Sequence, residues 1–185
     1  YLVFDTRNKV FLAPGDWGMV MPVYDDLEAV SVLGMLSSKN DGEGIIIMKD
    51  VANQMKVAYV NAKNNVLKSV WPETKGNIVE NSVFLTSQKE SILYYSKGNE
   101  IFRYNFESDG NFPGSSDYTV GEEGDIVKGM MLDPQEKNLY VALDAAGNQE
   151  YKGCVYCYDV ATKSLKWKER GVAGEIVQMI YKEQK

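Results

Sequence analysis

Histidine is absent from the 185-residue chain. That excludes Ser-His-Asp and Cys-His nucleophilic catalysis and every histidine-ligated metal site. Cysteine is scarce, with only Cys154 and Cys157. Their C-x-x-C spacing matches a redox pair or half a zinc site, but it lies in GCVYCYDV, which reads as a strand. Residues an odd number apart on a strand point to opposite faces, so the thiols are expected not to meet, and zinc would need two further ligands. Two buried, unpaired cysteines are the expectation. Positive charge is in deficit as well. Twenty Lys plus Arg stand against twenty-six Asp plus Glu, a net charge of −6, and no basic block stands out, which argues against nucleic acid as a partner. No apolar run approaches the roughly 20 residues that a membrane-spanning helix needs. No signal peptide is evident, and the opening YLVF at Tyr1 reads as a mature or truncated product.

What is present suits a folded domain. Apolar residues make up 44% of the chain and charged residues 25%, enough to bury one sizeable core. No helical pattern of useful length appears. Instead one stretch recurs four times: AVSVLGMLSS at 29–38, IVENSVFLTSQ at 78–88, IVKGMMLDPQ at 126–135 and EIVQMIYKE at 175–183. The starts lie roughly 48–50 residues apart, the signature of a stacked or radial array. VFLTSQKESILYY at 83–95 also lines up with MMLDPQEKNLYVA at 130–142 without a gap.

A second recurring unit is a hairpin, seen at 1–14, 56–71 and 154–169 and in distorted form at 100–112. Its first strand ends at Asp5, Asn61, Asn105 and Asp159 in turn. An Asx side chain bonds the backbone two residues on, which is what a tight turn wants. Between hairpins lie two more strands, at 29–38 and 44–49, 79–87 and 91–96, and 126–133 and 138–143. Four short antiparallel strands repeating at this period describe an all-β fold, a β-propeller of four-stranded blades, with a β-sandwich as the main rival. Three full blades are expected at 29–71, 78–121 and 126–170, with partial blades at 1–14 and 175–182. Either the terminal pieces share one blade and close a small ring, or the chain is an arc of a larger ring of six to eight blades, the reading we favour.

YDVATKSLKW, with Asp159, Thr162 and Trp167, resembles quinoprotein-type propeller repeats, with Lys163 where that family prefers glycine. More broadly the long, degenerate repeat resembles the propeller part of PKD-like surface lipoproteins of Bacteroidetes. That resemblance implies an accessory protein at the outer membrane or cell exterior, encoded beside a nutrient importer, with binding rather than catalysis as its role; no cofactor is expected.

If successive strands of a blade are lettered A to D, the D–A and B–C connections share one rim. That rim holds the longest loops and offers Trp17, Tyr24, Trp71 and Tyr151 beside carboxylates including Asp25, Glu123 and Asp125. Aromatic faces with neighbouring acids suit sugar rings or cationic peptide groups. A polar column of Ser31, Glu80, Lys128 and Gln178 is expected to line the mouth of a central channel, unless Glu80 and Lys128 merely pair. Calcium-like fragments at DGEG and ESDGN lack a closing bidentate Glu, so no metal is expected. The expected function is a non-catalytic binding or scaffold protein that takes a glycan, a peptide or a neighbouring surface protein. The alternative is a carboxylate-dependent glycoside hydrolase or lyase, which needs two acids about 5–10 Å apart. A purely structural arc is a third reading.

Overall fold

A computed structural model describes residues 3–5, 10–12, 29–50, 52–61, 66–69, 78–108, 111–147 and 150–182. Among them every regular element is a strand, and no helix is long and apolar enough to cross a membrane. A short hairpin, β1 (Val3–Asp5) with β2 (Val10–Leu12), pairs with no other strand among the described residues. Three four-stranded antiparallel sheets follow, each a simple meander. The first is β3 (Ala29–Ser37), β4 (Glu43–Asp50), β5 (Met55–Asn61) and β6 (Val66–Ser69). The second is β7 (Phe84–Thr86), β8 (Ile92–Lys97), β9 (Glu100–Asn105) and β10 (Tyr118–Thr119). The third is β11 (Ile126–Leu132), β12 (Asn138–Asp144), β13 (Gly153–Asp159) and β14 (Leu165–Ala173).

The sheets are stacked face against face, and two cores fill the two seams. Ile45, Ile47, Val57 and Tyr59 of the first sheet meet Leu93, Tyr95, Phe102 and Tyr104 of the second. The other face of the second sheet, with Ile92, Tyr94, Ile101 and Tyr118, meets Leu139, Val141, Leu143 and Tyr156 of the third. Each fully buried side chain of this size contributes about 1.5–3 kcal/mol by leaving water. Aromatic rings pin the seams. Tyr104 stacks on Phe112 at 4.2 Å between centroids, Tyr59 reaches Phe106 at 5.1 Å across the first seam, and Tyr118 meets Tyr158 edge-on at 5.4 Å across the second.

The Asx column ends its strands as the sequence implies, at Asp5, Asn61, Asn105 and Asp159. Asn105 Oδ1 accepts from the amides of Glu107 and Ser108, and Asp159 Oδ1 from those of Ala161 and Thr162. Lys163 sits at φ +58°, the left-handed region that glycine occupies at no cost. The cysteines lie on opposite faces, Cys154 opposite Leu143 and Cys157 opposite Tyr140, and both are buried and free.

Three expectations need correction. The gapless match of 83–95 with 130–142 is one residue out. The amides of Ser38, Ser87 and Asp133 close the first turn of each sheet on the carbonyls of Glu43, Ile92 and Asn138, so Ile92 corresponds to Asn138 and not to Leu139. One residue of slip swaps the faces of a strand, so the error would have turned the third sheet inside out. The strand expected at 79–87 is confined to Phe84–Thr86, because 78–82 form a turn in which Ser82 N donates to Val79 O. Residues 175–182, expected to begin a further blade, have no regular secondary structure and join no ladder among the described residues.

Candidate functional site

The site residues expected from sequence scatter. Trp17, Tyr24, Asp25 and Trp71 lie outside the described residues. Tyr151, between β12 and β13, is 56% exposed. Glu80 stands in the turn before β7, not on a strand, and accepts from Lys49 Nζ at 2.8 Å, which holds its carboxyl below the usual range. Lys128 occupies the bulge of β11, where the register shifts between Val127 and Gly129, and its Nζ lies 3.9 Å from Asp144 Oδ2. Glu80 and Lys128 are therefore not each other's partners. Gln178 is exposed on the tail that follows β14, and Ser31 is exposed on β3. The polar column thus includes a turn and a coil residue, whose backbones do not share the strand geometry that a column requires.

Asp125, counted among the rim acids, is 2% exposed. Its carboxylate accepts from the amides of Glu122 (2.9 Å) and Ala146 (2.8 Å) and from Arg170 Nη1 (3.0 Å). Burial pushes this carboxyl up, but the two amides and the guanidinium more than offset that and hold it below the usual range. Arg170 also donates to Tyr156 OH at 2.8 Å, and this bond, with Asp125, raises its pKa further. The cluster ties β14 to the loop that leads into β11, so its role is architectural.

The recess that the fold does build lies at the other end of the sheets. Within each meander the first strand is an edge strand. The ends of β3, β7 and β11 converge with the tail on a groove of about 630 Å³. Met35, Phe84, Met130 and Met179 line it. By register, Met35, Phe84 and Met130 are the same position in successive sheets, each paired with the fourth residue of the neighbouring strand: Ile46, Tyr95 and Val141. Leu36, Leu85 and Met131, one residue on, line it too. Met35 is 73% exposed. Thioethers are flexible and polarisable and suit a surface that accommodates varied apolar side chains.

Hydrogen bonds between the turns hold the groove's outer lip. Thr86 Oγ1 and Gln88 Nε2 both donate to the Ser37 carbonyl, at 2.6 and 3.2 Å. One sheet further on, the Glu136 carboxylate accepts from Gln88 N at 2.6 Å and from the Ser87 hydroxyl. Each turn therefore reaches back to the sheet before it. Replacing Glu136 with alanine removes two bonds at once and should cost about 1–2 kcal/mol in urea unfolding. A loss within error of zero would show that the turns do not brace one another.

A smaller cleft of about 320 Å³ lies among Glu90, Arg103 and Asp117. Arg103 stands over the Tyr94 ring at 5.6 Å and 3.7 Å from Glu90, while Lys163 from the third sheet pairs with Asp117. These contacts link strands of the second sheet to the third and read as part of that seam. Among the described residues every carboxyl whose pKa is displaced moves down: Asp50, Glu80, Glu107, Asp125 and Asp159. A general acid needs the opposite displacement. Among the described residues no group of three or more Cys, Asp or Glu is placed to hold a metal ion.

No protein-family model matches the chain, and no curated protein matches it. The groove was visible in the sequence as a methionine in three of the four recurring stretches, GMLSS, GMMLD and QMIYK. An apolar column in a strand reads as core, however, and only the structure exposes it.

Proposed function

We propose that this chain is a non-catalytic binding or scaffold protein, its three sheets being consecutive blades of a β-propeller. The reading rests on one observation: the same strand position of each successive sheet supplies an apolar, partly exposed side chain to one groove. The ligand that this lining favours is a peptide or protein segment carrying apolar side chains. Thioethers and aliphatic groups dominate the groove, whereas sugar recognition leans on aromatic faces. Gln88, Lys89 and Glu136 at the lip offer polar groups for the ligand's backbone. An accessory role at the cell exterior or outer membrane, docking a neighbouring surface protein, fits this chemistry.

A second reading keeps the ligand at the opposite rim, where Tyr151 is exposed and a glycan could stack. Among the described residues the hydrolase reading draws no support from the carboxyl groups, whose displaced pKa values all fall. A peptide array and a glycan array, each probed with the wild type, Met35→Asp and Tyr151→Ala, separate the two sites. We expect a peptide signal that falls about tenfold or more in Met35→Asp and survives in Tyr151→Ala. A glycan signal lost only in Tyr151→Ala would move the site to the rim, and silence on both arrays would sink the binding role. Both positions are exposed, so thermal unfolding should be unchanged in either variant.

A further inference from the structure

We infer that the groove carries a peroxide-sensitive modification site, Met35, whose oxidation to the sulfoxide weakens ligand binding. This deepens the binding reading above and rests on it. What carries it is where the methionines stand and how far each reaches into water.

Six methionines fall among the described residues: Met35, Met48, Met55, Met130, Met131 and Met179. Four of them, Met35, Met130, Met131 and Met179, line the same groove. Their exposure is graded. Met48 is 1% exposed, and Met55 packs against the core of the first seam. Met130 packs against the core of the second seam, and Met131 is half-buried. Met179 sets its methyl over Gly129, where an added Cβ would lie 3.6 Å away. Among the six only Met35 is exposed, at 73%. An apolar side chain left that far in water adds little to folding, so stability does not call for methionine here. What the residue brings is its sulfur.

The thiols do not compete for an oxidant. Cys154 and Cys157 are free but each is 1% exposed. Burial pushes the Cys157 thiol up, away from the reactive thiolate. A thioether has no proton to lose, so the Met35 sulfur keeps its nucleophilic lone pair whatever the pH. In the reaction that lone pair attacks one oxygen of a hydroperoxide. An S–O bond forms, the O–O bond breaks, and the proton passes to the departing oxygen, giving water or an alcohol. Sulfur is oxidised and the peroxide reduced, each by one electron pair. The product is a polar, chiral sulfoxide that sulfoxide reductases convert back.

The consequence follows from the neighbours. Leu36, Phe84 and Leu85 make the lining around this end of the groove apolar. A sulfoxide oxygen is a strong acceptor, and an apolar ligand seated over it would bury it unpaired. Two donors at the lip, Thr86 Oγ1 and Gln88 Nε2, are already committed to the Ser37 carbonyl. Met35 lies on the edge strand β3 and in neither seam core, so its oxidation leaves the sheets intact.

The test is graded hydrogen peroxide treatment of the full chain, followed by peptide-mapping mass spectrometry, with a peptide array probed before and after. Among the six methionines the first oxygen should fall on Met35, ahead of Met130, Met131 and Met179, with Met48 and Met55 last. Full conversion of Met35 should lower the array signal about tenfold, with thermal unfolding unchanged, and methionine sulfoxide reductase should restore it. Met35→Leu keeps the volume and apolar character. It should match the untreated wild type and hold its signal through the same peroxide dose. The inference is overturned if Met48 or Met55 oxidises before Met35, or if Met35→Leu loses its signal as the wild type does. An array silent before any peroxide overturns the binding reading and the switch together, whereas a signal that survives Met35 oxidation overturns the switch alone.

Discussion

Gly121→Ala is expected to cost about 4 kcal/mol, a large share of the roughly 5–15 kcal/mol that holds a domain folded. Two penalties meet at this residue. Its φ of +73° is strained for any residue with a Cβ. A Cβ built there would also stand well inside contact distance of Asp125 Oδ2. The carboxylate would have to leave its place, and with it go the bonds to Glu122 N, Ala146 N and Arg170. Gly98→Ala is the control: φ is +61° but nothing lies within 4 Å of the added carbon, so it should cost only about 1–2 kcal/mol. The difference between the two in urea unfolding isolates the clash. If both variants lose the same amount, the close approach of Gly121 to Asp125 has no energetic meaning.

The limits of what the sequence discloses follow from where its signals are local. A turn closed by Asp159 or Asn105 is decided by a side chain and the next two or three amides, so the hairpin ends can be read directly. Register between sheets is different. Leu93, Tyr94 and Tyr95 are all buried, because the second sheet is covered on both faces. Alternation, the one signal that would assign each residue to a face, is then missing, and a one-residue slip against the third sheet goes unseen. Glu80 misleads for a related reason. IVEN resembles the start of the other recurring stretches in composition, but Val79 N donates to Ser82 Oγ and the segment turns. The Met35–Phe84–Met130 column is apolar and periodic, which sequence alone assigns to a core. Its exposure depends on three edge strands converging, and no single strand carries that information.

Asp125→Asn should be the second most damaging change, at about 2–4 kcal/mol. The amide keeps the shape of the carboxylate, but its NH2 cannot accept a bond. The donors arrayed around Oδ2, Glu122 N and Arg170 Nη1, then face either another donor or nothing. Arg170 retains Tyr156 OH and a distant Glu122, at 3.7 Å, as its remaining partners. The pH dependence carries the sign of a depressed carboxyl. Because folding lowers the Asp125 pKa, its contribution is present in full above the unfolded value of about 3.9 and is lost as pH falls through the lower folded value. The gap between wild type and Asp125→Asn should therefore be constant from neutral pH down to about 5 and close in stronger acid. A gap that widens on acidification would mean that burial, not the ring of donors, governs this carboxyl. Combining Gly121→Ala with Asp125→Asn should cost clearly less than the two losses added, since both dismantle the same bonds. Full additivity would separate the backbone strain from the carboxylate and leave the entry to the third sheet without a single keystone.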